Sequence, residues 1–385
     1  MKLLKLILFF CFFQSISAIA EVKLSNFKEY QITKTNFQLK EVSNDLNYPW
    51  GMTFIDDENL LITEKSGRLL KVNISTGEHF EINHELDIFT GGQGGLLDVL
   101  YNDDYVYFTY SQLRDDVYGS SAIARGKIAN NNIINTEILL IAEPQLKSKV
   151  HFGSRIVIKD NYLFASFGER GGGMIAQDPL THPGSIVRIH LDGTIPKDNP
   201  KFINHPTWLP EIYQIGVRNP QGMTLSPFDN EIYISNHGAK GGDFIGTVNK
   251  GGNYGWKLIG WGGENYFGTK IGDGEAFKEE FDMPLLSWVP SIAPSNIQFY
   301  NGKIFTDWQG SLLVSSLKFN MLVRLEIKNK KVNKQEIILR GCKKFKKPCH
   351  NIGRIRDIEI DKNGSIYIIT DEAESSLWKI SEVLK

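Results

Sequence analysis

Six times along this chain one short phrase returns: an apolar strand, a polar tight turn, then a strand of β-branched and aromatic residues. The instances begin at Met52 (MTFIDDENLLITE), Leu97 (LDVLYNDDYVYFTYS), Arg155 (RIVIKDNYLFASFGE), Met223 (MTLSPFDNEIYISN), Ile297 (IQFYNGKIFTDWQGSLLVSS) and Arg356 (RDIEIDKNGSIYIITD). Hairpins recurring at intervals of roughly 45 to 75 residues are the mark of a radial all-β array. The phrases predict a six-bladed β-propeller of four-stranded antiparallel blades. Such an array has a central axis, and residues at the strand ends near it converge on one place.

Helical periodicity nowhere lasts three turns, and 36 glycines supply turn steps such as Asn301-Gly302, Asp192-Gly193 and Asn363-Gly364. The ring must be closed, so the strand around Phe37 to Glu41 is expected to pair with the last one, Ser376 to Ile380. No linker or low-complexity stretch divides the chain, which predicts one domain over residues 21–385. Extra length between repeats, at about 171–208 and 238–288, lies in loops rich in Gly, Pro and aromatics, where function usually resides.

The first residues, MKLLKLILFFCFFQSISAIAEV, combine two lysines, an apolar run and a small-x-small ending at Ala18-Ile19-Ala20. They read as a secretory signal peptide, residues 1–20, and are too soon polar for a stable membrane span. Export to a periplasmic or extracellular space suits a disulfide between Cys342 and Cys349; two free thiols, or a metal site with His350, are the alternatives. Lys and Arg (43) balance Asp and Glu (44), so the chain lacks the basic excess that a nucleic-acid partner requires.

Four polar clusters adjoin the repeats. Gly91-Gly92-Gln93-Gly94-Gly95 permits a close backbone approach and offers one amide, though any tight turn could read so. His151-Phe152-Gly153-Ser154-Arg155 holds a candidate general base, which taken alone could equally be a structural histidine. Arg218-Asn219-Pro220-Gln221-Gly222 leads into the fourth phrase. In Arg354-Ile355-Arg356-Asp357, alternation puts both guanidinium groups on one strand face. With no carboxylate between them, they call for a polyanion; an exposed charged edge is the plain alternative. Together the clusters are expected to ring one multi-carboxylate or phosphate ligand.

At these residues the chain resembles the soluble pyrroloquinoline quinone (PQQ)-dependent aldose sugar dehydrogenases, the glucose/sorbosone dehydrogenase family. The likeness runs through GGQGGLLDV, HFGSRIVI, GSIVRIHLDGTIPKDNP, RNPQGMTLSP, HGAKGGD, GGNYGWKLIGW, PSIAPSNIQFY and RIRDIEIDKNGSIYIITDE, nearly the whole mature chain. It implies a propeller that binds PQQ and calcium at one end of its channel and oxidises an aldose at the anomeric carbon to the lactone. His151 then matches the base and Arg218 the group beside the quinone carbonyl that receives the hydride. Gln93, Asn219 and Tyr266 match further cofactor contacts. Ser316-Leu317-Lys318 and Arg354-Ile355-Arg356 match segments that hold the cofactor's carboxylates. The carbonyls of Gly238 and Ala239 match calcium ligands, and Tyr254 a calcium-associated position. The implied partners are a sugar and an electron acceptor, with no stable membrane insertion and a monomeric or homodimeric state.

The chain also departs from the family. Asn236 stands for a Glu, Ala239 for a Pro, Phe244 for a Glu, Gly246 for an Asn, and Val150 for a polar residue before the base. Phenylalanine cannot bind a cation, so the family's structural calcium loses its carboxylate. These changes favour, as a second reading, a non-catalytic propeller binding a sugar-like ligand. A calcium-dependent hydrolase or lactonase would need several carboxylates around the axis, which the phrases are not expected to supply.

Overall fold

In the computed structural model, which describes residues 22–114 and 117–383, six β-sheets follow one another in chain order. The signal-peptide assignment lies outside the described residues. Each repeated phrase forms the two inner strands of one sheet. The innermost strands are Pro49–Phe54, Leu96–Asn102, Gly153–Lys159, Pro220–Leu225, Pro294–Phe299 and Ile355–Ile360. Each packs against the next, and the last against the first, so the sheets are the blades of a closed ring. We number them blades 1 to 6 in that order.

Closure follows the expected route. Gln38–Leu46 is the outer strand of blade 6, antiparallel to Ser375–Ser381, with Leu39 opposite Ile380. Two blades exceed the expected four strands: Lys23–Ser25 adds in parallel to Leu286–Trp288, and Gln31–Ile32 to Lys331–Arg340. The N-terminal segment thus covers two outer edges that would otherwise present unpaired backbone. The α-helix of the described residues is one turn, Pro200–Ile203. Cys342 and Cys349 are joined in a disulfide.

One device repeats in every blade. The pairing of innermost and second strands slips near its start, between Pro49 and Met52, Leu96 and Val99, Gly153 and Ile156, Pro220 and Gly222, Pro294 and Ile297, and Ile355 and Asp357. A bulge leaves backbone groups unpaired and re-aims side chains. Opposite each bulge the second strand carries a hydroxyl: Thr63, Thr109, Ser166, Ser235, Ser315 or Thr370. The first three accept from the freed N–H of Gly51, Asp98 and Arg155 at 2.9, 3.0 and 3.0 Å.

The same hydroxyls sew blades together. Thr63 donates to Leu97 O, Thr109 to Ser154 O (2.5 Å), Ser166 to Pro220 O (3.5 Å) and Ser235 to Ser295 O (2.7 Å), each on the next blade. Ser315 contacts Ser295, which donates to Ile355 O at 2.7 Å. At the closing seam the Asp357 carboxylate accepts from Met52 N at 2.7 Å.

The re-aimed side chains meet on the axis at Arg155. Its guanidinium binds Asp98 (2.8 Å), Asp357 (3.0 Å) and the Gln221 carbonyl (2.8 Å), and lies 4.3 Å from the Trp50 ring centre. Burial raises the Asp98 carboxyl to about 6, with Arg155 opposing and Asp357 reinforcing the shift. Carboxylates therefore do surround the axis (Asp98, Asp357 and Glu359), contrary to the sequence expectation. Ile156 N and Met52 N occupy the second oxygens of the two aspartates, and no group of three potential metal-ligating side chains occurs among the described residues.

If the hydroxyls hold the bulges and seams, Thr109→Val should destabilise the protein by ~1–3 kcal/mol, because it strands a buried N–H and a carbonyl. Thr109→Ser should cost much less. Urea denaturation of both variants checks this, and equal stabilities would contradict it.

Candidate active site at the hub

A cavity of about 280 Å³ opens where the innermost strands begin, one layer along the axis from Arg155. Trp50, Leu97, Gln221 and Arg356, residues of four bulges, line it together with Gln93, Asn219, His237 and Leu317. Two chemically distinct walls result.

The first wall, with Gln93, Phe152, Gly153 and Asn219, has His151 next to it. Gly92, with φ +63° and no room for a Cβ (2.4 Å from Lys149 O), lets the 91–95 turn pack on the chain before this histidine. Gln93 Oε1 then accepts from His151 N at 2.7 Å. His151 itself has φ +53°, an uncommon conformation that fixes where the imidazole stands. Its Nδ1 is 2.6 Å from Glu169 Oε1. Burial raises the Glu169 pKa, but the hydrogen bond and charge of His151, the Gly173 N–H and Arg218 together hold it below the usual glutamate value. An ionised Glu169 takes Nδ1–H, leaving Nε2 as the acceptor. Burial, then Arg218 and Arg170, lower the His151 pKa against the pull of Glu169. The imidazole is therefore neutral near pH 7 and oriented.

Asn219 lines the same wall, and Arg218 precedes it in the chain. Their N–H groups both donate to Asn236 Oδ1, at 3.0 and 2.9 Å. Asn219 Oδ1 accepts from Gly153 N and Gln221 Nε2. The Arg218 guanidinium sits 5.3 Å from the Trp256 ring centre and donates to the Tyr266 hydroxyl at 3.4 Å. Both aromatics come from the long excursion between Asp243–Thr247 and Leu286–Trp288, whose tip is open: Phe267 is 98% exposed.

The second wall is cationic. Arg356 binds Asp371 Oδ2 at 2.8 Å and Gln221 Oε1 at 2.9 Å, Arg354 reaches the same Asp371 oxygen at 3.4 Å, and Lys65 its Oδ1 at 3.3 Å. Burial raises the Asp371 pKa, but Arg356 and Lys65 outweigh it and hold the carboxyl well below its usual range. A carboxylate does lie between the two arginines, correcting the sequence reading. Three cations on one anion still leave two positive charges in excess.

The other expected residues separate into those at the pocket and those behind it. Leu317 lines the cavity, and its carbonyl accepts from Arg354 at 3.3 Å. Lys318 does not join the cations: it is exposed, with Nζ 5.4 Å from the Phe319 ring centre. Ser316 donates to Ile292 O and Ile355 is a core residue, so both support the wall from behind. Tyr254 is corrected in the same way. Its hydroxyl exchanges two 2.8 Å hydrogen bonds with the Thr247 backbone, its carbonyl accepts from Trp261, and its ring packs against Phe244. Position 244 is thus part of an aromatic cluster rather than a cation site. Among described residues no donor reaches the carbonyls of Gly238 or Ala239, while Asp243 holds Gly238 N and Ala293 N on its two oxygens.

Against known proteins, the profile of the glucose/sorbosone dehydrogenase family matches residues 46–379. The chain belongs to this family. It is 34% identical over 354 residues to the aldose sugar dehydrogenase YliI of Escherichia coli K12, covering 89% of this chain and 92% of that one. It is 27% identical over 402 residues to quinoprotein glucose dehydrogenase B of Acinetobacter calcoaceticus, covering 81% and 82%. In structure it superposes on the soluble E. coli aldose sugar dehydrogenase with TM-score 0.83 at 31% identity, over 90% of this chain and all of that one. A PQQ-bound aldose sugar dehydrogenase from Streptomyces coelicolor shares the fold, with TM-score 0.72 at 21% identity over 90% of this chain and 98% of that one. The family places this chain among oxidoreductases acting on sugars.

Sequence reasoning missed Lys65, Glu169, Asn236, His237 and Asp371. All lie within three residues after the second-strand hydroxyls: Thr63-Glu64-Lys65, Ser166-Phe167-Gly168-Glu169, Ser235-Asn236-His237 and Thr370-Asp371. Aligning the phrases on that Ser/Thr would have exposed them. His237 lines the cavity, donates Nε2–H to Pro294 O at 2.6 Å, and is driven by burial to about 3, hence neutral.

Because Glu169 raises the pKa of its neighbour, Glu169→Gln should move the His151 titration to lower pH. An NMR titration of the imidazole checks the sign; a shift to higher pH would contradict the pairing.

Proposed function

We propose that this sugar dehydrogenase is a PQQ-dependent enzyme, exported to the periplasm or secreted, that oxidises the anomeric carbon of an aldose or similar polyhydroxy compound to the lactone. The observation that carries the reading is one cavity with two kinds of lining: Gln93, which is bonded to a neutral, carboxylate-held histidine, and Lys65, Arg354 and Arg356, which leave two positive charges in excess over Asp371. The disulfide supports an oxidising compartment, and no helix of the described residues is long and apolar enough to cross a membrane.

The pocket fits a polyanionic planar cofactor. PQQ carries three carboxylates, and Arg354, Arg356 and Lys65 would supply the counter-charge; the buried Arg356 Nε has no hydrogen-bond partner among the described residues. Gln93, Asn219 and Leu317 would complete the cradle. When bound, PQQ supplies the two-electron acceptor for a hydride from the sugar.

Every other part belongs to the chain. His151 Nε2 accepts the proton of the anomeric hydroxyl, and Glu169 stabilises the imidazolium that forms. Arg218 provides fixed positive charge where negative charge gathers. The exposed rings of Tyr266 and Phe267 flank this side and offer flat apolar faces to a pyranose. Calcium is a separate matter. It takes six to eight oxygen ligands, and of the expected set only the Gly238 and Ala239 carbonyls are free, so the chain alone does not make a calcium site and no step is assigned to one. The reading needs no nucleic acid and nothing beyond a monomer or homodimer.

Apo-protein supplied with PQQ and calcium should reduce a redox dye with one or more of a panel of aldoses. His151→Gln should lower that turnover by ~10²–10⁴-fold, the usual worth of a general base, while PQQ binding by fluorescence titration stays unchanged. Equal turnover in the variant would refute the base assignment. In the same titration Lys65→Met should weaken PQQ binding and Lys318→Met should not; the reverse would restore Lys318 to the pocket.

A further inference from the structure

The segment joining Lys331–Arg340 to Ile355–Ile360 reads GCKKFKKPCHNIGR and ends at Arg354, on the pocket wall. Its four lysines, Lys343, Lys344, Lys346 and Lys347, are exposed, on a segment that runs straight into the lining residue Arg354. Lys343 pairs with Glu372 at 3.1 Å, next to Asp371. Lys344, Lys346 and Lys347 make no ion pair among the described residues.

This loop is held, not draped. The disulfide closes it, Cys342 N donates to His350 O and His350 N to Arg340 O (both 2.8 Å), and Arg340 Nε donates to Pro348 O at 2.6 Å. Phe345 turns inward against the core between blades 4 and 5. Gly353 leaves space for Glu372, since a Cβ there would stand 1.9 Å from its carboxylate. Lys318, absent from the pocket, is exposed next to the lining residue Leu317. A chain of net charge −1 thus concentrates rigid positive charge beside the one place where sugar oxidation would release electrons.

We propose that this disulfide-closed basic loop docks an acidic one-electron carrier protein, the acceptor that reoxidises the enzyme. The inference rests on the sugar-oxidising reading above. Converting the anomeric carbon to a lactone releases two electrons and two protons. Two carrier molecules, such as haem proteins, take one electron each in succession, and the protons pass to solvent. The lysines stand on the surface without a buried convergent donor, so a small anion finds no built site. Phe345 faces the core, His350 stacks on Phe37 and Ile352 is buried, so the loop offers a lipid surface no exposed aromatic or long aliphatic side chain, only Pro348. An acidic protein face matches both features: complementary charge steers encounter and fixes orientation.

The test compares wild-type, PQQ-loaded enzyme with the triple variant Lys344→Glu, Lys346→Glu, Lys347→Glu and the milder triple Lys→Gln variant. Each is assayed with a neutral dye, a small acidic cytochrome and a basic cytochrome of matched potential. Charge reversal should lower kcat/KM for the acidic cytochrome by about tenfold or more, with Lys→Gln in between, and leave dye reduction unchanged. The wild-type rate with the acidic cytochrome should fall with salt, and the reversed variant should lose that dependence. Intact dye turnover with unaltered cytochrome kinetics would overturn the docking surface alone. So would faster reduction of the basic cytochrome by wild type, or binding to phosphatidylglycerol vesicles that reversal abolishes while cytochrome kinetics stay the same. No dye reduction with any sugar would instead overturn the sugar-oxidising reading, and the docking proposal with it.

Discussion

The hub depends on one buried cation. Arg155 touches blade 1 through Trp50, blade 2 through Asp98, blade 4 through Gln221 and blade 6 through Asp357, so four blades besides its own are tied to a single guanidinium. A buried arginine is tolerable only when its charge and donors are satisfied, and here two carboxylates and a carbonyl do so. The geometry exists because each innermost strand bulges at the same level. Without the bulges, regular alternation would aim Asp98 and Arg155 differently, and neither hub nor pocket would form.

The bulges also explain why chemistry gathers at this end. A break in strand pairing frees backbone groups and turns side chains inward, and the second-strand hydroxyls absorb the freed groups. The pocket is therefore built from two concentric sets. One is the bulged residues of the innermost strands, among them Gln221 and Arg356. The other is the residues just beyond the hydroxyls, among them Lys65, Glu169, His237 and Asp371. Charge is sorted along the axis as a result, with an excess of cations over Asp371 around the cavity and Asp98 and Asp357 around Arg155.

Much of the ring was legible in the chain. The hairpin phrases marked the inner strands of all six blades, and the partner of the last strand was readable from the need to remove an open edge. His151, Arg218, Asn219, Gln93, Arg354 and Arg356 stood out because they cluster next to those phrases. Asp371 did not, since a lone acid after a strand looks like turn chemistry until its three cations are seen. Lys65 was hidden for the same reason, and Lys318 was expected in its place from the resemblance. Side-chain direction decided between them: Gly95 lets the backbone at Lys65 come close to the hub, whereas Lys318 folds back over Phe319. Phe244 shows the opposite case, a substitution whose meaning was readable at once because an apolar ring cannot replace a carboxylate.

The seam between Gln38–Leu46 and Ser375–Ser381 joins segments from opposite ends of the described chain. Until Ser375–Ser381 leaves the ribosome, blade 6 lacks its third strand, and Asp357 has no completed sheet to hold it against Met52. Ring closure thus waits for Ser375–Ser381, and contacts of such long range form slowly. The wheel can therefore lock only once both of these distant segments are free to meet.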